Sequence, residues 1–197
     1  GTVAAWGDDW AGQCDVPEEA TGVVAVCASW AEHSLALRSD GTVVAWGGDN
    51  GSGQCDVPED LTNAVAIAAG LAHSIALRSD GTVEVWGNND MGQCDVPPEA
   101  TDVTAIAAGT WHILALKSDG TVVAWGYNGN GECDVPEDLT NIVAVGAGDN
   151  HSLAVRADGT VVAWGSYGDG RCDVPAGLTG VVAIDGGDNH SLALKSD

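Results

Sequence analysis

The chain has 197 residues, is 45% hydrophobic without a single Phe, and carries 29 acidic against 6 basic side chains for a formal net charge of −23. That apolar content is enough for a packed core and argues against disorder. The acidity repels phosphate backbones and anionic headgroups, so no nucleic-acid and no membrane partner is expected.

The tripeptide Gly-Thr-Val recurs at Gly1, Gly41, Gly81, Gly120 and Gly159 and divides the chain into units 1–40, 41–80, 81–119, 120–158 and 159–197. One domain over residues 1–197, without linker or tail, is the expectation. No apolar run approaches the roughly 18–20 residues of a membrane helix. No targeting segment is visible, so localisation stays open. A period near 40 built from short apolar runs points to a propeller or another repeat array.

In chain order, the second unit offers four strand candidates. Thr42–Trp46 is β-branched and aromatic. Gln54–Val57 stops at Pro58, which removes a ladder donor. Ala64–Ala69 is a small apolar run that suits a crowded innermost strand. His73–Arg78 alternates, with Ile75 and Leu77 apolar. Asp80-Gly81 then marks a hairpin turn. Four strands in about 40 residues is the size of one propeller blade.

With the Ala-rich run taken as the first strand, the chain begins with the third and fourth strands of a blade. It ends with the first and second, at Val182–Lys195. The expectation is an all-β, five-bladed β-propeller with four antiparallel strands per blade, its ring closed by pairing of the N- and C-terminal strands, which would remove the sheet edges. Much of the acidity is then repeat architecture. Asp40, Asp80, Asp119, Asp158 and Asp197 sit in the Asp-Gly turns, and Asp15, Asp56, Asp95, Asp134 and Asp173 follow the repeated Cys.

The signature G-T-V-x-x-W-G, then G-[QER]-C-D-V-P, then A-x-G-x-x-H-S-L-A-L-[KR]-x-D-G resembles the regulator of chromosome condensation repeat family, which forms β-propellers. The short unit, with A-W-G and V-P in register, is closest in style to β-lactamase inhibitory protein II and its bacterial relatives. The resemblance runs the length of the chain. Family members usually have seven blades, against the five expected here.

Positions that differ between the five copies are free to carry specificity. The loop between first and second strands reads SWAEH, GLAH, GTWH, GDNH and GDNH. The loop after the third strand reads GDDWAGQ, GGDNGSGQ, GNNDMGQ, GYNGNGE and GSYGDGR. In an up-and-down blade both loops emerge on one face. That rim would carry Trp10, Trp30, Leu71, Met91, Trp111, Tyr127 and Tyr167 with Asp9, Asp49 and Asp90 among the surrounding acids and amides, a composition suited to a protein partner. The alternative is that some of these aromatics fold over the rim onto the next blade. The resemblance implies that loop aromatics and acids on one face cover an enzyme's active-site mouth, with Trp10, Tyr127 and Tyr167 in one loop class and Trp30 and Trp111 in the other.

Other recurring residues invite a chemical reading. His33, His73, His112, His151 and His190 open the second strands. Equivalent residues on five blades diverge from the axis, so these are read as structural rather than as a metal site. Cys14, Cys55, Cys94, Cys133 and Cys172, with Cys27, lack the spacing of a zinc site and sit on different blades. They are read as small packed groups. Trp6, Trp46, Trp86, Trp125 and Trp164 are expected to pack between blades. The loops Asp49–Gln54 and Asn88–Gln93 lack the acids of a calcium loop, and Asp185 is read as facing a water-filled axial channel or as a weak cation site.

No catalytic constellation is visible, and no cofactor or metal is expected. The leading expectation is a non-enzymatic protein-binding propeller, in its specific form an inhibitor of a hydrolase such as a β-lactamase. It is read as a monomer, with a homo-oligomer as the other state. A structural repeat protein without a specific partner, engineered or recently amplified, is the first alternative. A carbohydrate-binding propeller is the second.

Overall fold

The computed structural model describes residues 1–29, 32–166 and 168–196. The apolar runs become strands at nearly the expected bounds. Four sheets share one antiparallel three-stranded order: β1 (Val23–Ala28), β2 (His33–Arg38) and β3 (Val43–Gly47); β4 (Ala64–Ala69), β5 (His73–Arg78) and β6 (Val83–Gly87); β7 (Val103–Ala108), β8 (His112–Lys117) and β9 (Val122–Gly126); β10 (Ile142–Ala147), β11 (His151–Arg156) and β12 (Val161–Gly165). A fifth sheet holds only β13 (Val181–Gly186) and β14 (Ser191–Lys195). The register repeats. His73 faces Gly87 and Leu77 faces Val83 across β5 and β6, as His33 faces Gly47 and Leu37 faces Val43 across β2 and β3. Register shifts between Ala64 and Ala66 and at the same place in β1, β7, β10 and β13 bend each first strand.

The turn from second to third strand is built by its own residues. Asp40 Oδ1 accepts the Thr42 N–H at 3.1 Å and the Thr42 hydroxyl at 2.6 Å, and Gly41 takes φ +83° there, which a side chain would resist. The carbonyl of that glycine accepts the Ala64 N–H of the next sheet at 2.9 Å, and Gly1, Gly81, Gly120 and Gly159 do the same for Val23, Val103, Ile142 and Val181. Each turn thus ties one sheet to the next.

The core lies in layers between neighbouring sheets. Leu35, Leu37 and Val43 pack on Leu61, Ala64, Ala76 and Trp86; Ile75 and Leu77 pack on Val103, Ile113, Ala115 and Trp125; Leu114 and Leu116 pack on Ile142, Ala154 and Trp164. Each repeat therefore draws its stability from its neighbour's face. The first strands converge on an axial cavity of about 330 Å³ lined by Cys27, Ala68, Ala107, Gly146 and Asp185. Small residues suit that crowding, since a Cβ on Gly146 would come within 2.9 Å of the Ile184 carbonyl.

Two parts of the expected architecture are overturned. The Cys-Asp-Val segments are not strands, so among the described residues no sheet has four. Their backbone donors are taken up locally: Gly53 N–H goes to the Asn50 carbonyl, Asp56 N–H to Gly53 and Val57 N–H to Cys55, each at 3.0 Å. With Pro58 following, nothing remains to build a ladder. The termini also do not complete a fifth blade. Thr2 makes a lone bridge to Thr21. Leu192 and Leu194 of β14 stay 62% and 64% exposed, where Leu35 and Leu37 are 0% and 3% exposed, and Trp6 is 86% exposed. Residues 2–7 pair with no strand of any sheet among the described residues.

Candidate functional site

The two variable loop classes meet at one end of each three-stranded sheet, because the first residue of its second strand pairs with the last glycine of the third. Backbone bonds hold them side by side: Asn88 N–H to the Ala72 carbonyl at 2.8 Å, Tyr127 N–H to Trp111 at 2.9 Å, and Ser166 N–H to Asn150 at 2.9 Å. Neighbouring sheets are joined here too, by Leu71 N–H to the Thr110 carbonyl at 3.1 Å and Asp149 N–H to Gly187 at 3.2 Å.

Four of the loops that precede the repeated Cys are built around a side chain that sequence reading had placed among the acids and amides of the rim. Asp9, Asn50, Asn89 and Asn128 occupy equivalent positions, and each accepts the N–H of the following Cys at 2.7–2.9 Å. The three Asn also donate to Asp56, Asp95 and Asp134. The cysteines complete the loop: the thiols of Cys55, Cys133 and Cys172 donate to the carbonyls of Gly47, Tyr127 and Ser166 at 3.2–3.3 Å. Burial, with Glu132 and Asp134 alongside, pushes the Cys133 thiol up to about 12, so it stays protonated. The five-residue spacing from Asx to Cys was the available signal for this staple.

A buried amide closes the same loop from below. Gln54 and Gln93 accept the N–H of Ser52 at 3.2 Å and Met91 at 2.9 Å. In the fourth loop Glu132 replaces the amide, fully buried, with the Asn130 N–H at 2.7 Å. A buried carboxylate costs more than the amide that makes the same contact. Glu132→Gln is therefore expected to raise stability by about 1 kcal/mol, read as a higher urea midpoint at unchanged slope; a lower midpoint would contradict this.

The expected partner-binding residues are not alike. Trp10 and Met91 project from their loops at 70% and 45% exposure. Asp49 and Asp90 are exposed, and Asp49 Oδ1 also accepts the Gly51 N–H at 2.9 Å. Asp9 is exposed but serves the staple. Leu71, Trp111 and Tyr127 are half-buried, and the Tyr127 hydroxyl lies over Gly129 of its own loop. Trp30 and Tyr167, like Asp197, lie outside the described residues.

Three of the repeated His link their sheet to the next one. His33 Nε2 lies 3.1 Å from Ser74 Oγ, His112 Nε2 3.0 Å from Ser152 Oγ, and His151 Nε2 2.9 Å from Ser191 Oγ. Ser74 and Ser152 donate onward to the carbonyls of Gln54 and Glu132 at 2.8 and 2.7 Å, so the imidazole is the donor from Nε2. Ile113 stands where the serine would meet His73, and His73 is left without a ring partner. The rings lie on Gly70, Gly109 and Gly148, where a Cβ would collide with them, which explains the Gly-x-x-His spacing. Burial lowers His33, His73 and His151 to about 4 and His112 to about 3. Trp46, Trp86, Trp125 and Trp164 donate from Nε1 to the carbonyls of Gln13, Gln54, Gln93 and Glu132 at 2.8–3.0 Å, so they too are inter-sheet groups. Among the described residues no group of three or more His, Cys, Asp or Glu is placed to hold a metal ion.

Repeated sheets around an axial cavity, with conserved turns at one end and variable loops at the other, define a propeller-type repeat scaffold. The model of the regulator of chromosome condensation (RCC1) repeat matches residues 23–54, 64–93, 103–132 and 142–171, each running from a first strand through the loop after the third. The chain belongs to this repeat family. The matched unit has three strands, in agreement with the sheets. No curated protein matches the chain.

Among solved structures it is similar to Prp20p from Saccharomyces cerevisiae, described with its binding properties to Gsp1p and histones, at 22% identity and TM-score 0.71, covering 87% of this chain and 55% of that one. It is also similar to the ectodomain of the Physcomitrella patens receptor kinase CR4, at 23% identity and TM-score 0.72, covering 89% and 51%. Human WBSCR16 aligns at 19% identity and TM-score 0.73, covering 92% and 60%. The chain thus spans little more than half the length of these proteins, and the likeness is one of fold.

Proposed function

We propose that the chain is a non-enzymatic protein-binding scaffold whose partner surface is the rim of variable loops. The observation that supports this reading most is the division of the repeat into two ends. The Asp-Gly turns repeat one structure, whereas four of the opposite loops keep a common staple and vary at the positions that project, Trp10 and Met91 foremost. Large side chains on stapled loops lose little entropy on docking. Asp49 and Asp90 add negative charge beside them. The partner class that fits is a protein with a basic, concave surface, and the specific form of the reading is a hydrolase of the β-lactamase type inhibited by coverage of its active-site mouth.

The test is inhibition of a panel of β-lactamases by the chain, at low and high salt. Saturable inhibition that weakens as salt rises, and that Trp10→Ala with Met91→Ala reduces at least about tenfold, is the expected result. Inhibition untouched by both substitutions would move the surface off this rim. No inhibition of any enzyme would end the hydrolase form of the reading.

A further inference from the structure

The two ends of the array carry the two halves of a contact made inside the array on Gln54 and Glu132. Inside the array a third-strand Trp and a second-strand Ser meet on one loop carbonyl, as Trp86 and Ser74 do on Gln54 and Trp164 and Ser152 do on Glu132. At the β14 end the Arg171 carbonyl accepts the Ser191 hydroxyl at 2.8 Å, but among the described residues no third strand lies beside β14. A cavity of about 440 Å³ lined by Leu153, Val161, Arg171, Ser191 and Leu192 opens there instead.

At the other end Trp6 is exposed, and a cavity of about 420 Å³ separates Val3–Trp6 from Val26, Cys27 and Leu35. In the interior repeats that space belongs to the first two strands of the preceding sheet. His190 is exposed, and Ser34, the counterpart of Ser74, has no imidazole on its hydroxyl among the described bonds. Each end lacks what the other presents.

We propose that the two ends join between two copies of this chain. Residues 2–7 of one copy seat on β14 of the second as its third strand. The interior register carries over, from His33 opposite Gly47 and Ser34 opposite Trp46 to His190 opposite Gly7 and Ser191 opposite Trp6. Trp6 Nε1 then donates to the Arg171 carbonyl of the other copy, and His190 meets Ser34 across the junction. Trp6, Val26, Leu192 and Leu194 leave water together. A second copy is the occupant because the junction continues an interface the chain already builds between its own sheets, and because only the same repeat fills both cavities at once. The contact is heterologous, and a strand added to an open edge gives it main-chain hydrogen bonds.

The experiment is molar mass by light scattering over a range of concentrations, in about 0.5 M salt to screen two chains of charge −23. The chain is expected to rise from 19.8 kDa to at least twice that mass. Trp6→Ala and Leu192→Glu alter exposed side chains, so both fold, and each alone is expected to stay at the mass of one chain. Mixing the two is expected to restore pairs, because one variant keeps an intact β14 end and the other an intact N-terminal segment. A single-chain mass at every concentration would overturn the proposal, whether β14 is bare or filled from its own chain. Association that survives in both single variants, or a mixture that stays at one chain, would overturn it as well.

Discussion

The fold is expected to fail on mild acidification, between about pH 6 and pH 4, because four imidazoles are buried uncharged. His33, His73 and His151 are held at about 4 and His112 at about 3, against 6.5 in the unfolded chain. The cause is burial in each, joined for His73 and His112 by neighbouring imidazoles and for His151 by Arg171 and His190 against the opposing pull of Asp149. The unfolded state therefore binds more protons in this range, and stability falls as pH falls. The contribution is full above the unfolded value of 6.5 and drains as pH drops toward 4. At pH 5 the loss is about 2 kcal/mol for each ring, and four rings together approach the whole stability of a domain.

The turn aspartates act later. Asp40, Asp80, Asp119 and Asp158 are held below the usual carboxylate range by the Thr hydroxyl and N–H two residues on, so their contribution is lost only below that range. Tryptophan fluorescence followed from pH 8 to pH 3 should show one major transition above pH 4. A signal unchanged down to pH 4 would refute this account of the imidazoles.

The tryptophans of the Trp-Gly pairs should separate by position despite their identical motif. Trp125→Ala is expected to cost about 5 kcal/mol. It removes a buried ring from the layer with Val103, Ile113 and Ala115 and leaves the Gln93 carbonyl without the indole donor. Trp86→Ala should cost about 1 kcal/mol less, because the Gln54 carbonyl keeps the Ser74 hydroxyl, whereas Ile113 denies Gln93 that second donor. Trp6→Ala should change the stability of the single chain by less than about 0.5 kcal/mol, since its ring is in solvent. Urea denaturation of the three variants at low concentration gives the order directly. Equal losses at Trp6 and Trp86 would mean that residues 2–7 are packed in solution.

The strands were legible because their signals are local. Ala64–Ala69 and His73–Arg78 were read at the observed bounds, and the third strand was displaced by one residue. The Gln-Cys-Asp-Val segment was misread as a fourth strand. Its β-like pattern is real, but Asn50 and the turn bonds around Gly53 take its donors, and a side chain bonding five residues ahead leaves no periodicity to detect. The two variable loop classes at one end of the sheets were legible as well. The roles within it were not: Asp9 was grouped with Asp49 and Asp90, although its oxygen holds the Cys14 N–H.

The amino-acid sequence by itself determined the period, the hairpins and the family, because β-branched alternation, Asp-Gly turns and Gly-x-x-His spacing act within a few residues of one another. Only the tertiary structure decided how the repeats add up. The links from His33 to Ser74 and from Trp86 to Gln54 join residues some 30 to 40 positions apart. The layers between sheets likewise gather side chains from three or more separate stretches of the chain, as Leu35, Leu61, Ala76 and Trp86 do, and no local signal shows that Trp6 and Leu192 stay exposed.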